Sequence, residues 1–120
     1  MSKYIGTFNH ENKSLSVALY IENQPVFGIG ESLHQLNELA YMNGYNWEAL
    51  LKFYFEREHA ELWQGMKTDP EAGMFVVYCE YSPENEVKMA KIEEKVVALI
   101  DAPDSLEQLV RDHGDEIEWD

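Results

Sequence analysis

Four histidines, one cysteine and 23 Asp and Glu are the side chains from which this 120-residue chain could build catalysis or a metal site. His10, His34, His59 and His113 are scattered along the chain, with no pair at the short spacing by which one element presents two imidazoles to an ion. Glu58-His59 lacks the further histidine that a zinc-protease helix needs four residues after the first. Cys79 ends an apolar run, where burial opposes the thiolate and no sequence neighbour supplies a base. Carboxylates make up a fifth of the residues, so a pair of them says nothing about an acid and a base placed across a cleft. Gly28-Ile-Gly30 continues into Glu31-Ser32, without the third glycine or the lysine of a phosphate-binding loop. No cofactor and no metal is called for, and a binding protein rather than an enzyme is expected.

Charge narrows the class of partner. Against 23 acids stand 9 bases, a formal net charge of −14, while 45% apolar and 12% aromatic residues are enough for one ordinary core. The acids therefore cover a folded domain rather than mark a disordered chain. Their sign opposes direct nucleic-acid binding. The longest apolar stretch, Ala72 to Cys79, is far short of the ~20 residues of a membrane span, and the first ten residues lack the apolar core of a signal peptide. A cytoplasmic location follows as the expectation, in keeping with a lone cysteine. The charge is also uneven, because Asp101 to Asp120 hold eight acids against Arg111 alone, half of the total. Such a run is either a solvated surface with a frayed end or a docking surface for a basic partner.

The elements that would position these groups follow from periodicity and turn chemistry. Tyr4 to Phe8 and Ser14 to Ile21 form a hairpin around Asn9–Lys13, with Leu15, Val17, Leu19 and Ile21 on one face. Glu22 to Gly30 reads as a loop and Glu31 to Tyr41 as a short helix carrying Leu33, Leu36, Leu39 and Ala40. Asn46 is expected to cap a helix that runs to about His59, burying Trp47, Leu50, Leu51, Tyr54 and Phe55. A short strand near Gln64 to Thr68 would turn at Asp69-Pro70, with Gly73 left-handed, into a strand from Met74 to Tyr81. That strand is apolar on both faces and should lie in the middle of a sheet. Ser82-Pro83-Glu84 opens a second long helix with Met89, Ile92, Val96 and Leu99 buried. Asp104 to Glu107 resembles a capping box for a last helix that Gly114 stops. The fold class is α+β, one domain over residues 1–114 with an antiparallel sheet of about four strands on two long helices, and 115–120 an acidic tail.

Gly44-Tyr45-Asn46-Trp47 opening a helix, followed by Asp69-Pro70-Glu-Ala-Gly73-Met-Phe75 opening a strand, resembles the immunity protein 51 family of bacterial polymorphic-toxin systems. This chain has Asn46 where many members of that family carry Asp. The resemblance implies a small cytoplasmic protein that binds the carboxy-terminal domain of a cognate toxin and prevents self-killing. It assigns no toxin contact, because each of the seven motif residues Gly44, Tyr45, Asn46, Trp47, Asp69, Pro70 and Gly73 suits a cap, a turn or the core. The contact residues are expected in the acidic end instead: Asp112, Asp115, Glu116, Glu118 and Asp120, with Trp119 either an anchor for the partner or packed back on the domain. Acidity favours a basic toxin domain, and a nuclease in particular, whose nucleic-acid groove the carboxylates would occupy. A small acidic regulatory or adaptor domain that binds another cytoplasmic protein is the competing reading.

Overall fold

Asn9 and Asn12 close the first turn by exchanging side-chain hydrogen bonds, and Glu11 and Asn12 take left-handed backbone angles, the geometry that joins twisted strands tightly. This turn links β1 (Ile5–His10) to β2 (Ser14–Tyr20). The computed structural model describes residues 4–119. Along the chain follow α1 (Val26–Leu36), α2 (Gly44–Glu58), α3 (Ala60–Trp63), β3 (Lys67–Glu71), β4 (Met74–Glu80), α4 (Pro83–Asp101) and α5 (Asp104–His113). The four strands form one antiparallel sheet in the order β1-β2-β4-β3. The α+β architecture read from the sequence is the one observed.

Register fixes which side chains share a face. Leu19 pairs with Phe75, Val17 with Val77 and Leu15 with Cys79, and all six are buried. Onto this face α2 and α4 lay their apolar stripes, Trp47, Leu50, Leu51 and Phe55 from one and Met89, Ile92, Val96 and Leu99 from the other. Ser82 caps α4 by accepting from the Asn85 amide, with Pro83 in the first turn as its sequence suggests. Trp63 of α3 stacks on Phe55 with ring centroids 4.8 Å apart, extending the core past the end of α2.

The opposite face of the sheet carries no helix among the described residues. β4 is an interior strand, as its apolar character implies, but only Phe75, Val77 and Cys79 are buried, while Met74, Val76 and Tyr78 remain partly or largely open. Two apolar faces on one strand therefore mean a buried face and an uncovered one here.

Several local expectations are corrected. Helix α1 begins at Val26, five residues early, and takes Gly28 and Gly30 into its body. Its buried residues Val26, Ile29 and Leu33 supply packing that outweighs glycine's low helix propensity, and at Gly30 the helix comes so close to Met42 that a Cβ would crowd it. It ends at Leu36, leaving Leu36 and Leu39 exposed rather than buried. The cap of α2 is Asn43, whose side chain accepts from the Asn46 amide. Asn46 lies inside the helix, fully buried, and its Oδ1 accepts from the Met42 amide in a residue with φ of 57°. Both asparagines suit a cap, and they lie one turn apart. Asp69 and Pro70 stand within β3 rather than in a turn. An edge strand tolerates a residue without an N–H, and Pro70 faces Phe75 with its free side outward. Gly73 is not left-handed. Asp104 occupies the first turn of α5, whose cap residue Pro103 makes no side-chain cap bond.

Candidate functional site: an acidic flank

The two motif segments meet in space. The Gly44 amide donates to the carbonyl of Ala72 at 3.0 Å, and a Cβ at Gly44 would overlap the carbonyl oxygens of Glu71 and Met74. Glycine is thus required where the start of α2 is pressed against the β3–β4 turn. Gly73 accepts from the Ile21 amide and lies against the Glu22 carboxylate, tying the same turn to β2. Trp47 is fully buried. Six of the motif residues are accounted for by this joint, its strand and the core, whereas Tyr45 is exposed and lines a cleft.

That cleft is built by α2 and the end of the chain. With its apolar stripe on the sheet, α2 presents Glu48, Lys52 and Glu56 outward at four-residue intervals. After α5 the chain turns back: the Glu116 and Ile117 amides both donate to the His113 carbonyl, Ile117 is buried, and Trp119 Nε1 donates to the Gly114 carbonyl at 3.1 Å. His113 fastens the turn, with Nδ1 2.6 Å from a Glu116 carboxylate oxygen and its ring 5.5 Å from that of Phe53. Glu116 and Glu118 are thereby carried across to α2. The resulting cleft of about 240 Å³ gathers the carboxylates of Glu48, Glu56, Glu116 and Glu118 around one ammonium, Lys52, with Tyr45 and Phe53 in its wall.

A second cleft of about 510 Å³ flanks the other side of the same ridge, between α2, α3 and β3. There the Thr68 hydroxyl donates to Glu48 at 2.5 Å, fixing one acid of the ridge. The ridge and the terminal turn together form an acidic flank on the helical side of the molecule.

The candidates from the acidic end do not all gather here. Glu116 and Glu118 line the cleft, and Trp119 packs partly buried against the core and holds the turn. Asp115 is exposed at the turn itself. Asp112 accepts from Gln108 and opens onto a different groove with Tyr54, Arg57 and Asp104. Asp120 lies outside the described residues. Glu48, Glu56 and Tyr45 were not anticipated as site residues. The regular spacing of Glu48 and Glu56 opposite the Trp47–Phe55 stripe signals an exposed ridge, but nothing local tells which segment faces it.

Among the described residues no group of three His, Cys, Asp or Glu stands close enough to share a metal ion. Burial pushes the Cys79 thiol up, against a smaller opposing effect of Lys88. Burial and the neighbouring Glu58 likewise raise the Tyr54 hydroxyl. Among the described residues no helix is long and apolar enough to cross a membrane.

A family model described as immunity protein 51 matches residues 6–113. The chain belongs to the immunity protein 51 family. No curated protein and no solved structure matches it. The immunity protein 51 match takes in both halves of the Gly44 joint, the α2 ridge and Asp112, and it ends before Asp115, Glu116, Glu118 and Trp119. The acidic flank of this immunity protein 51 member is thus assembled from one part inside the family match and one part beyond it.

Proposed function

We propose that this immunity protein 51 member binds the carboxy-terminal domain of a cognate polymorphic toxin in the cytoplasm and neutralises it by stoichiometric inhibition. The observation that carries the reading beyond family membership is the convergence of Glu48, Glu56, Glu116 and Glu118 around a cleft with Tyr45 and Phe53 in its wall. Carboxylates so placed raise the local concentration of a basic partner and orient it, while the two rings offer apolar area once water is expelled. Asp115, Asp112 and Asp120 enlarge the negative surface at its border. Trp119 acts through the turn it holds, keeping Glu116 and Glu118 aimed at α2. A nuclease suits such a surface best, because its nucleic-acid groove is basic and the carboxylates would stand where phosphates bind.

Coexpression with the toxin domain encoded beside the gene tests this directly. Survival of the cells and recovery of a complex by gel filtration are the expected results. Continued killing with no complex recovered would sink the immunity reading.

A further inference from the structure

Apolar side chains stand open to solvent unevenly along this chain. Of the eight large ones exposed among the described residues, Phe27, Leu36, Leu39, Tyr41 and Tyr45 come from the stretch that runs from α1 into the first turn of α2. Between Phe27 and Tyr45 the chain has two acids, Glu31 and Glu38, and no lysine or arginine. Phe27 and Tyr41 line a cleft of about 260 Å³, with the buried Gly30 and Met42 at its base. Grouped apolar side chains of this kind mark contact surfaces more often than single ones do.

The loop that carries Tyr41 is held in place although the residue is 67% exposed. The His34 ring stacks on that of Tyr41 with centroids 5.5 Å apart, and His34 Nδ1 donates to the Ala40 carbonyl at 3.1 Å. Ala40 is fully buried, its amide donating to the Asn37 carbonyl, while Asn37 Oδ1 accepts from the Leu39 amide. Beyond Tyr41, Met42 takes a φ of 57°, which residues other than glycine seldom adopt, and the buried Asn46 fixes it by accepting from the Met42 amide at 2.9 Å. A motif residue that could have been read as a cap thus shapes the loop. A ring fixed before binding loses little freedom when a partner covers it.

We propose that the cleft between Phe27 and Tyr41 is the apolar anchor of the toxin interface, taking one large apolar side chain that the toxin domain presents beside its basic surface. This anchor presupposes the toxin binding proposed above. Continuity with the acidic flank selects the occupant. Asn37 packs against Gly114, after which the chain turns back to carry Glu116 and Glu118 to α2, and Tyr45, four residues beyond Tyr41, lines the acidic cleft itself. One partner can therefore cover both. Two copies of this chain meeting here would set Glu31, Glu38 and the flank acids against their own kind, whereas a basic domain meets them favourably. The carboxylates then govern how fast the partner arrives, and the cleft governs how long it stays.

Surface plasmon resonance with the toxin domain encoded beside the gene separates the two rates. Tyr41→Ala and Phe27→Ala should each raise the dissociation rate at least about tenfold and leave the association rate and its salt dependence within about twofold of wild type. Tyr41→Phe, which keeps the ring, should dissociate within about threefold of wild type, and Val87→Ala, which trims an exposed side chain of α4, should change neither rate. Circular dichroism and thermal melts confirm the fold of each variant, all at exposed positions. Alanine variants that dissociate as slowly as wild type overturn the anchor and leave the immunity reading standing, whereas a wild type that forms no complex removes both. A free chain that sediments as a dimer, dissociated by Tyr41→Ala with toxin binding intact, would give the cleft to a second copy and overturn the proposal as well.

Discussion

Two surfaces of this immunity protein 51 member are built on opposite principles. The acidic flank is charged because a helix ridge and the end of the chain were brought together: Glu48 and Glu56 meet Glu116 and Glu118 around Lys52. The open sheet face is exposed because no helix among the described residues lies on it, and Phe8, Val76 and Tyr78 stand there beside polar side chains such as His10 and Ser16. One attracts at a distance and depends on a fold-back held by His113 and Trp119. The other acts only at contact and depends on register. The contrast teaches that exposure has two origins in so small a domain, accumulated charge on one side and an uncovered layer on the other. It also assigns each surface a different response to salt.

The largest effect should come from Gly44, since both surfaces hang on the joint where α2 meets the β3–β4 turn. Gly44→Ala should cost more than about 3 kcal/mol, lowering the melting temperature by at least about 10 °C and abolishing toxin binding with it. A melt within a degree or two of wild type would dissolve the joint. Next, changing Asp115, Glu116 and Glu118 together to Lys should slow toxin association about tenfold or more and flatten its dependence on salt, while sedimentation of the free protein stays as it was. An unchanged on-rate in stopped flow removes the acidic end from the interface.

A smaller effect separates the surfaces without mutation. Raising the salt from about 0.05 to 0.5 M should weaken the toxin complex at least a few-fold, because screening removes the attraction of the acidic flank for a basic partner, a response to which the sparsely charged sheet face contributes little. An affinity for the toxin that does not change with salt would erase the distinction. The smallest effect concerns pH and touches both surfaces equally. Cys79 and Tyr54 titrate above their ordinary ranges in the folded chain, so the unfolded chain ionises first. Their contribution is intact below the unfolded thiol value of about 8.5, and stability should decline as pH rises past it, past the phenol range near 10, and on through the raised native values. Urea melts between about pH 7 and 10.5 measure this, and a rise in stability over that interval would contradict it.

Much of the fold was legible because its signals are local. The hairpin turn, the stripe from Trp47 to Phe55, the β4 run and the Ser82-Pro83 start of α4 each need only neighbouring residues to be recognised. The misses share a different cause. Gly28 and Gly30 sit in a helix because Val26, Ile29 and Leu33 find a core that no window of sequence displays. Asp69-Pro70 has turn chemistry, yet an edge position in the sheet makes the absent N–H harmless. Of the flank, the acids of the chain end stand out from charge alone. Their partners Glu48 and Glu56 do not, since the sequence separation is closed by a tertiary turn. The open face was hidden by the apolar pattern of β4, which describes a strand buried on both sides as well as one with an uncovered face.

The most direct measurement is the mass of the complex formed by this immunity protein with the toxin domain encoded beside it, mixed in equal amounts and followed by sedimentation velocity. The account predicts a complex that holds the two chains in equal numbers, with the toxin domain on the acidic flank. The two chains sedimenting separately, with no complex at all, would contradict it.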